Sequence, residues 1–349
     1  WNPKGIKETC DWMVSALKGG NWDANAPPSS NQTYYLKELA TLMAFIFLVA
    51  SIVPLVSILL DTKFFGEVRQ AIPEKTLSEG KGTWWKVATL NATIGGFTYL
   101  FIPMIGLIVL IFVPGFNLIT GNGFLLWFMV NTLICWLLFK RWHEGKAKTQ
   151  GITSFHLGAS FSEDEFALDS RLLGKTLLLG ILTFLYLYSA VSITQMTLNV
   201  EFRYNWTLLK RFNGPRLGQF LLYFLPVLAF FLINGGVFLF GQLRQVQSSG
   251  KLKTLAVWTL KNVFTMEFGL IAIFCLQYGP MILFGAPPLF GAVITAGLFL
   301  IFLMQIIPLF GLIFFVVTYL YLETGKIYLG ALIGTMITVW VISAGSALG

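Results

Sequence analysis

Charge is what this sequence has least of: only 11% of its 349 residues are Asp, Glu, Lys or Arg. Soluble domains carry about 25%, so an ordinary water-soluble globule is excluded and lipid becomes the main solvent. Cysteine is scarce too. Cys10, Cys135 and Cys275 stand far apart, two of them in apolar runs, which indicates neither a disulfide framework nor a metal site. H-E-x-x-H, P-loop and G-x-G-x-x-G patterns are missing, as is any Lys/Arg-rich nucleic-acid motif, so neither a cofactor nor a nucleic-acid partner is expected. G-x-S-x-G is missing as well. Its nearest approach, Gly158-Ala159-Ser160-Phe161-Ser162, lacks the second glycine, and nothing in the sequence positions Ser160, His156 and Asp164 as a triad. Neither an initiator Met nor a signal peptide opens the chain; Trp1 begins a polar amphipathic stretch, and the sequence reads as the later part of a longer product.

What is present is long apolar runs. Residues 39–60 are uncharged, enough to cross about 30 Å of hydrocarbon at roughly 1.5 Å per residue. Further runs at 87–112, 124–139, 176–198, 220–240, 264–283 and 328–342 read as spans. The run 289–322 as one helix would reach about 51 Å, so a break is expected near Pro308. The fold class is therefore an all-α integral membrane protein, a polytopic bundle of 8–9 transmembrane helices. Residues 1–35 form an extracytoplasmic helix and linker, and 36–349 the transmembrane domain.

Between the runs, local patterns predict smaller elements. Ile6, Cys10, Met13 and Leu17 recur at helical spacing before Gly19-Gly20, a short helix that needs a partner; residues 21–33 read as a linker. Ser162-Glu163-Asp164-Glu165 has the form of a capping box starting a short helix. Within 199–212, Phe202, Trp206 and Leu209 project to one side and Arg203, Thr207, Lys210 and Arg211 to the other, which predicts an amphipathic helix lying in the interface. Loops 61–86, 140–175 and 242–262 carry five, six and four basic residues, against four each in 1–38 and 199–217. The bias places those three loops in the cytoplasm of a cell-membrane protein and the N-terminal segment outside.

Candidate chemistry is thin. Glu267 is the one ionisable residue well inside an apolar run, a candidate for ion or proton handling. It lies six residues past Lys261, about 9 Å along a helix, so the expectation is that it snorkels to the headgroups and that Glu267→Gln is neutral. Asn91, Asn131, Asn234, Gln277 and Gln305 sit in or near spans and must each find a partner, most simply across helices. Breaks at Gly95-Gly96 with Pro103, Gly279-Pro280, Pro287-Pro288 and Pro308 with Gly311 suit a transporter, although ordinary packing explains them too. Arg203, Trp206, Lys210 and Arg211 are candidate lipid-headgroup contacts.

Several phrases carry a family resemblance: Glu201-Phe202-Arg203, Leu208-Leu209-Lys210, Phe220-Leu221-Leu222-Tyr223-Phe224-Leu225-Pro226, Phe230-Phe231-Leu232-Ile233-Asn234-Gly235 and Gly241-Gln242-Leu243-Arg244. They resemble the membrane half of bacterial α/β-hydrolase-fold proteins fused to a multispanning C-terminal domain. The stretch from Ile6 to Leu17 resembles the final helix of such a hydrolase. The resemblance implies that the catalytic Ser, acid and His lie upstream of Trp1. The implied function is anchoring that enzyme and gating lipid or peptide substrate access. Implied partners are membrane lipids and an upstream hydrolase domain or partner subunits. A transporter or channel subunit using broken helices and Glu267 is the alternative.

Overall fold

The computed structural model describes residues 3–17, 34–73, 81–200, 202–204, 207–285 and 294–348. Among them, eight helices are long and apolar enough to cross a membrane, and the protein is an all-α multi-pass bundle. Helix α1 (Pro3–Leu17) precedes the bundle, and the expected linker and Pro287-Pro288 lie outside the described residues. The first span, Leu36–Leu60, consists of α2 (Tyr34–Ala50) and α3 (Ile52–Leu60). They meet at Ser51, whose hydroxyl donates to the Leu48 carbonyl at 2.6 Å.

The remaining helices are α4 (Lys81–Leu110), α5 (Ile119–Trp142), α6 (Ser170–Leu198), α7 (Gly214–Leu232), α8 (Lys251–Phe284), α9 (Ile294–Thr324) and α10 (Tyr328–Gly345). Helix α10 is central: 83% of its membrane window is buried, and it packs against α6, α7 and α9. Helix α4 lies between α5 and α8. Its contact with α8 is a close backbone approach, since a Cβ on Gly269 would fall 1.9 Å from the Ala92 carbonyl oxygen. Small residues at such a crossing let two membrane helices gain packing that hydrocarbon does not supply.

Several expectations are corrected. Residues expected as an interfacial helix form a short antiparallel pair instead, β1 (Phe202–Tyr204) with β2 (Thr207–Leu209). Asn199 takes a left-handed φ of 53° that ends α6, and pairing Phe202 with Leu209 sets Leu209 in the core at 1% exposure with Phe202 packed against it. Aromatic and β-branched residues favour this pairing, and a segment this short fits either periodicity. Helix α9 runs unbroken through Pro308, α8 runs through Gly279-Pro280 to Phe284, and α4 runs through Gly95-Gly96 and Pro103. One proline removes one N–H and kinks a helix without ending it where neighbouring helices satisfy the freed groups. Helix α9 is long, about 46 Å at 1.5 Å per residue, because its end stands in a polar layer beside Arg69 and Lys251. The capping box starts no helix; α6 begins later, capped by the Asp169 carboxylate, which accepts from the amides of Arg171 (2.9 Å) and Leu172 (3.0 Å).

The three basic loops share one end of the bundle. Glu67 pairs with Arg171 at 2.9 Å and Lys175 at 2.7 Å, and the Lys175 hydrogen bond holds its carboxyl below the usual range. Glu323 pairs with Arg69 at 3.4 Å and with Lys251. Buried Arg244 donates to the carbonyls of Phe240 (2.6 Å), Pro73 (2.9 Å) and His156. At the opposite end, Arg216 donates to the carbonyls of Ala344 (2.9 Å), Ser346 (3.1 Å) and Ser343, closing the C-terminus of α10.

Candidate functional site

Most of the polar side chains that the sequence scatters over distant spans converge on one point. Asn91 on α4, Asn131 on α5, Glu267 on α8 and Asn234 line a single cavity of about 20 Å³, walled by rings that include Trp127, Phe230, Phe310 and Phe314. Asn234 belongs to a wide π-helical stretch, Ile233–Gln242, that continues α7. Such i→i+5 segments are rare and recur at functional sites.

Each amide has its nitrogen committed. Asn91 Nδ2 donates to the Thr265 carbonyl at 3.0 Å, tying α4 to α8. Asn131 Nδ2 donates to the Trp127 carbonyl at 2.8 Å and to Thr98 Oγ1 at 3.0 Å. Asn234 Nδ2 reaches the Asn131 carbonyl at 3.5 Å. On the acceptor side, Asn234 Oδ1 and both Glu267 carboxyl oxygens are buried and have no donor among the described residues.

Glu267 therefore does not snorkel; it is 1% exposed. The reason is rotational. Lys261 marks the polar edge of α8, bonded to Gln245 and lying 5.0 Å from the centre of the Trp84 ring, whereas Glu267 points inward, towards α4 and α9. Gly311 of α9 faces it, a Cβ there falling 4.0 Å from Oε1. The close approach of Gly96 and Gly269 lies beside it on the α4–α8 interface.

The other candidates lie elsewhere. Gln277 and Gln305 are buried but do not line this cavity; Gln305 faces apolar clefts beside α2 and between α5 and α10. Trp206 and the Arg203 side chain lie outside the described residues. Lys210 is half-buried, and its carbonyl accepts from Trp340 Nε1 at 2.9 Å. Arg211 is exposed, with its amide bonded to Gln195.

The imagined Ser160, His156 and Asp164 grouping does not form. Ser160 is fully buried, donating to the Ser162 carbonyl at 2.8 Å and accepting from the Ala167 amide at 3.0 Å. His156 is engaged by Thr153 at 2.9 Å and Glu163 at 3.3 Å, and Asp164 is exposed. These bonds order a loop.

Sequence reasoning missed Lys326, in the turn between α9 and α10. It is 5% exposed, donates to the Ser160 carbonyl at 2.6 Å, and lies 4.3 Å from the centre of the Phe155 ring. Burial, helped by the neighbouring Arg244 guanidinium, pulls its ammonium down to about 8. The available signal was the charged island Glu323 to Lys326 between two long apolar runs.

Fold and site together define a class: a multi-pass helical membrane protein with a polar cavity inside its bundle. No protein-family model, no curated protein and no solved structure matches this chain.

Proposed function

We propose that this chain is the membrane-embedded domain of a hydrolase-like cell-surface protein, anchoring the enzyme and gating access of a lipid or peptide substrate. One observation carries the reading. On α1, which precedes the spans, Trp12 is 70% exposed, Met13 49% and Leu17 81%, so an amphipathic helix presents large apolar side chains that the bundle does not cover. A partner domain packing there is what the resemblance to a hydrolase's last helix implies. The absence of a nucleophile–base pair around Ser160 and His156 is consistent with catalysis residing elsewhere. The basic end would face the cytoplasm and α1 the outside. Recovering the reading frame upstream of Trp1 tests it. A secretion signal and a strand-rich region containing G-x-S-x-G are expected; a start codon immediately before Trp1 overturns the reading.

A second reading, a transporter or channel subunit, is favoured by the Glu267 cavity. Ion-coupled flux in proteoliposomes that is lost in Glu267→Gln supports it, and flux unchanged by that substitution removes it.

A further inference from the structure

A cavity lined by three buried oxygens without donors has an unmet requirement. Glu267 Oε1 and Oε2 and Asn234 Oδ1 have no donor among the described residues, and the Asn91 and Asn131 amide nitrogens are spent on backbone carbonyls and Thr98. Buried oxygens in this state cost several kcal/mol unless a hydrogen-bond donor or a cation joins them, and an ionised carboxylate among them calls for positive charge. The cavity, about 20 Å³, exceeds the roughly 10–15 Å³ that one water-sized occupant needs. Charge fixes the valence. Among the described residues, α4, α5, α7 and α9 turn only uncharged side chains to the cavity, so Glu267 is its one ionisable group there. Among the described residues no group of three or more His, Cys, Asp or Glu could hold a metal ion. One carboxylate balances one unit of positive charge, whereas a divalent ion would leave a net charge in hydrocarbon.

We propose that the cavity between α4, α5, α8, α9 and the π-helical stretch binds a single monovalent cation, sodium or a proton, at Glu267 with Asn234 as the facing acceptor. The oxygens suit a hard cation. This is a statement about binding and stands apart from transport: binding without flux keeps it and removes the transporter reading.

Thermal melting of the detergent-solubilised full chain tests it, in sodium, potassium and choline chloride at matched ionic strength and several pH values. A ligand bound only by the native state raises Tm with its concentration. With sodium as occupant, Tm rises with sodium but not choline, and the rise shrinks as protons compete. With a proton, Tm is indifferent to sodium and declines as protons become scarce. In both cases Glu267→Gln loses that response and keeps only the rises with pH that Lys326 and Glu67 contribute. Should that variant fail to fold, Asn234→Leu is expected to need roughly tenfold more of the ion for the same rise, the equivalent of one charge-assisted contact. Wild-type melting that shows neither a sodium-dependent rise nor a decline with pH that Glu267→Gln removes, or a sodium-dependent rise that Glu267→Gln retains, overturns the proposal.

Discussion

Two buried residues, Lys326 and Ser160, show what single side chains do at the basic end of the bundle. The Lys326 ammonium donates to the Ser160 carbonyl, and the Ser160 hydroxyl holds the 160–167 loop. The Lys326 value falls from the ordinary 10.5 to about 8, so between those limits the unfolded chain binds more protons than the native one. Native stability therefore rises with pH across that window. In Lys326→Met this contribution disappears, and melting curves should show a shallower pH slope than wild type between about 8 and 10.5. Equal slopes would mean that Lys326 is charged and solvated. Ser160→Ala removes a satisfied buried hydroxyl and leaves the Ala167 amide without its partner, an expected loss of about 1–3 kcal/mol in denaturant or thermal unfolding. A fluorophosphonate probe should leave Ser160 unlabelled, because its hydroxyl is locked onto backbone groups rather than onto a base. Labelling there would revive the local triad.

Between elements, the α4–α8 crossing is the tightest contact beside the cavity, and Gly269 there contrasts with Gly218 on α7. Gly269→Ala forces a Cβ to within 1.9 Å of a backbone oxygen, whereas a Cβ at Gly218 meets nothing within 4 Å. Overpacking costs about 1–3 kcal/mol or more, while Gly→Ala in an open helical position gains roughly 0.5–1 kcal/mol. Tm should therefore drop in Gly269→Ala and hold or rise in Gly218→Ala; similar behaviour of the two would mean that α4 and α8 do not touch at Gly269. The hairpin belongs to this scale too. Its Leu209 and the Lys210 carbonyl are taken up by the core and by Trp340 of α10, so what reads locally as an interfacial helix is held by a partner 130 residues away.

The whole molecule has a polar-networked end, where Arg244, Glu67, Glu323 and Lys326 tie the three basic loops to the α9–α10 turn, and an opposite end closed by Arg216 on α10. If the basic end is cytoplasmic, a cysteine in place of exposed Lys146 is shielded in intact cells from a membrane-impermeant maleimide, while one at exposed Phe112 reacts. The reverse pattern would invert the protein. The three native cysteines, Cys10, Cys135 and Cys275, would be removed first.

Lipid as solvent and the positions of the spans followed from the sequence alone, because hydropathy is a sum over local windows and needs no partner. The candidate cavity was half legible: Glu267, Asn91, Asn131 and Asn234 could be named one by one as polar groups that hydrocarbon would not tolerate alone. Their meeting could not be read. Helices α4, α5, α8 and α9 are apolar nearly all round, so no periodicity tells which side faces a neighbour, and Glu267 could as well have turned to the headgroups. Only the tertiary structure decided that, along with the hairpin at Phe202 to Leu209 and the unbroken passage through Pro308, because each depends on groups brought close by packing rather than by chain order.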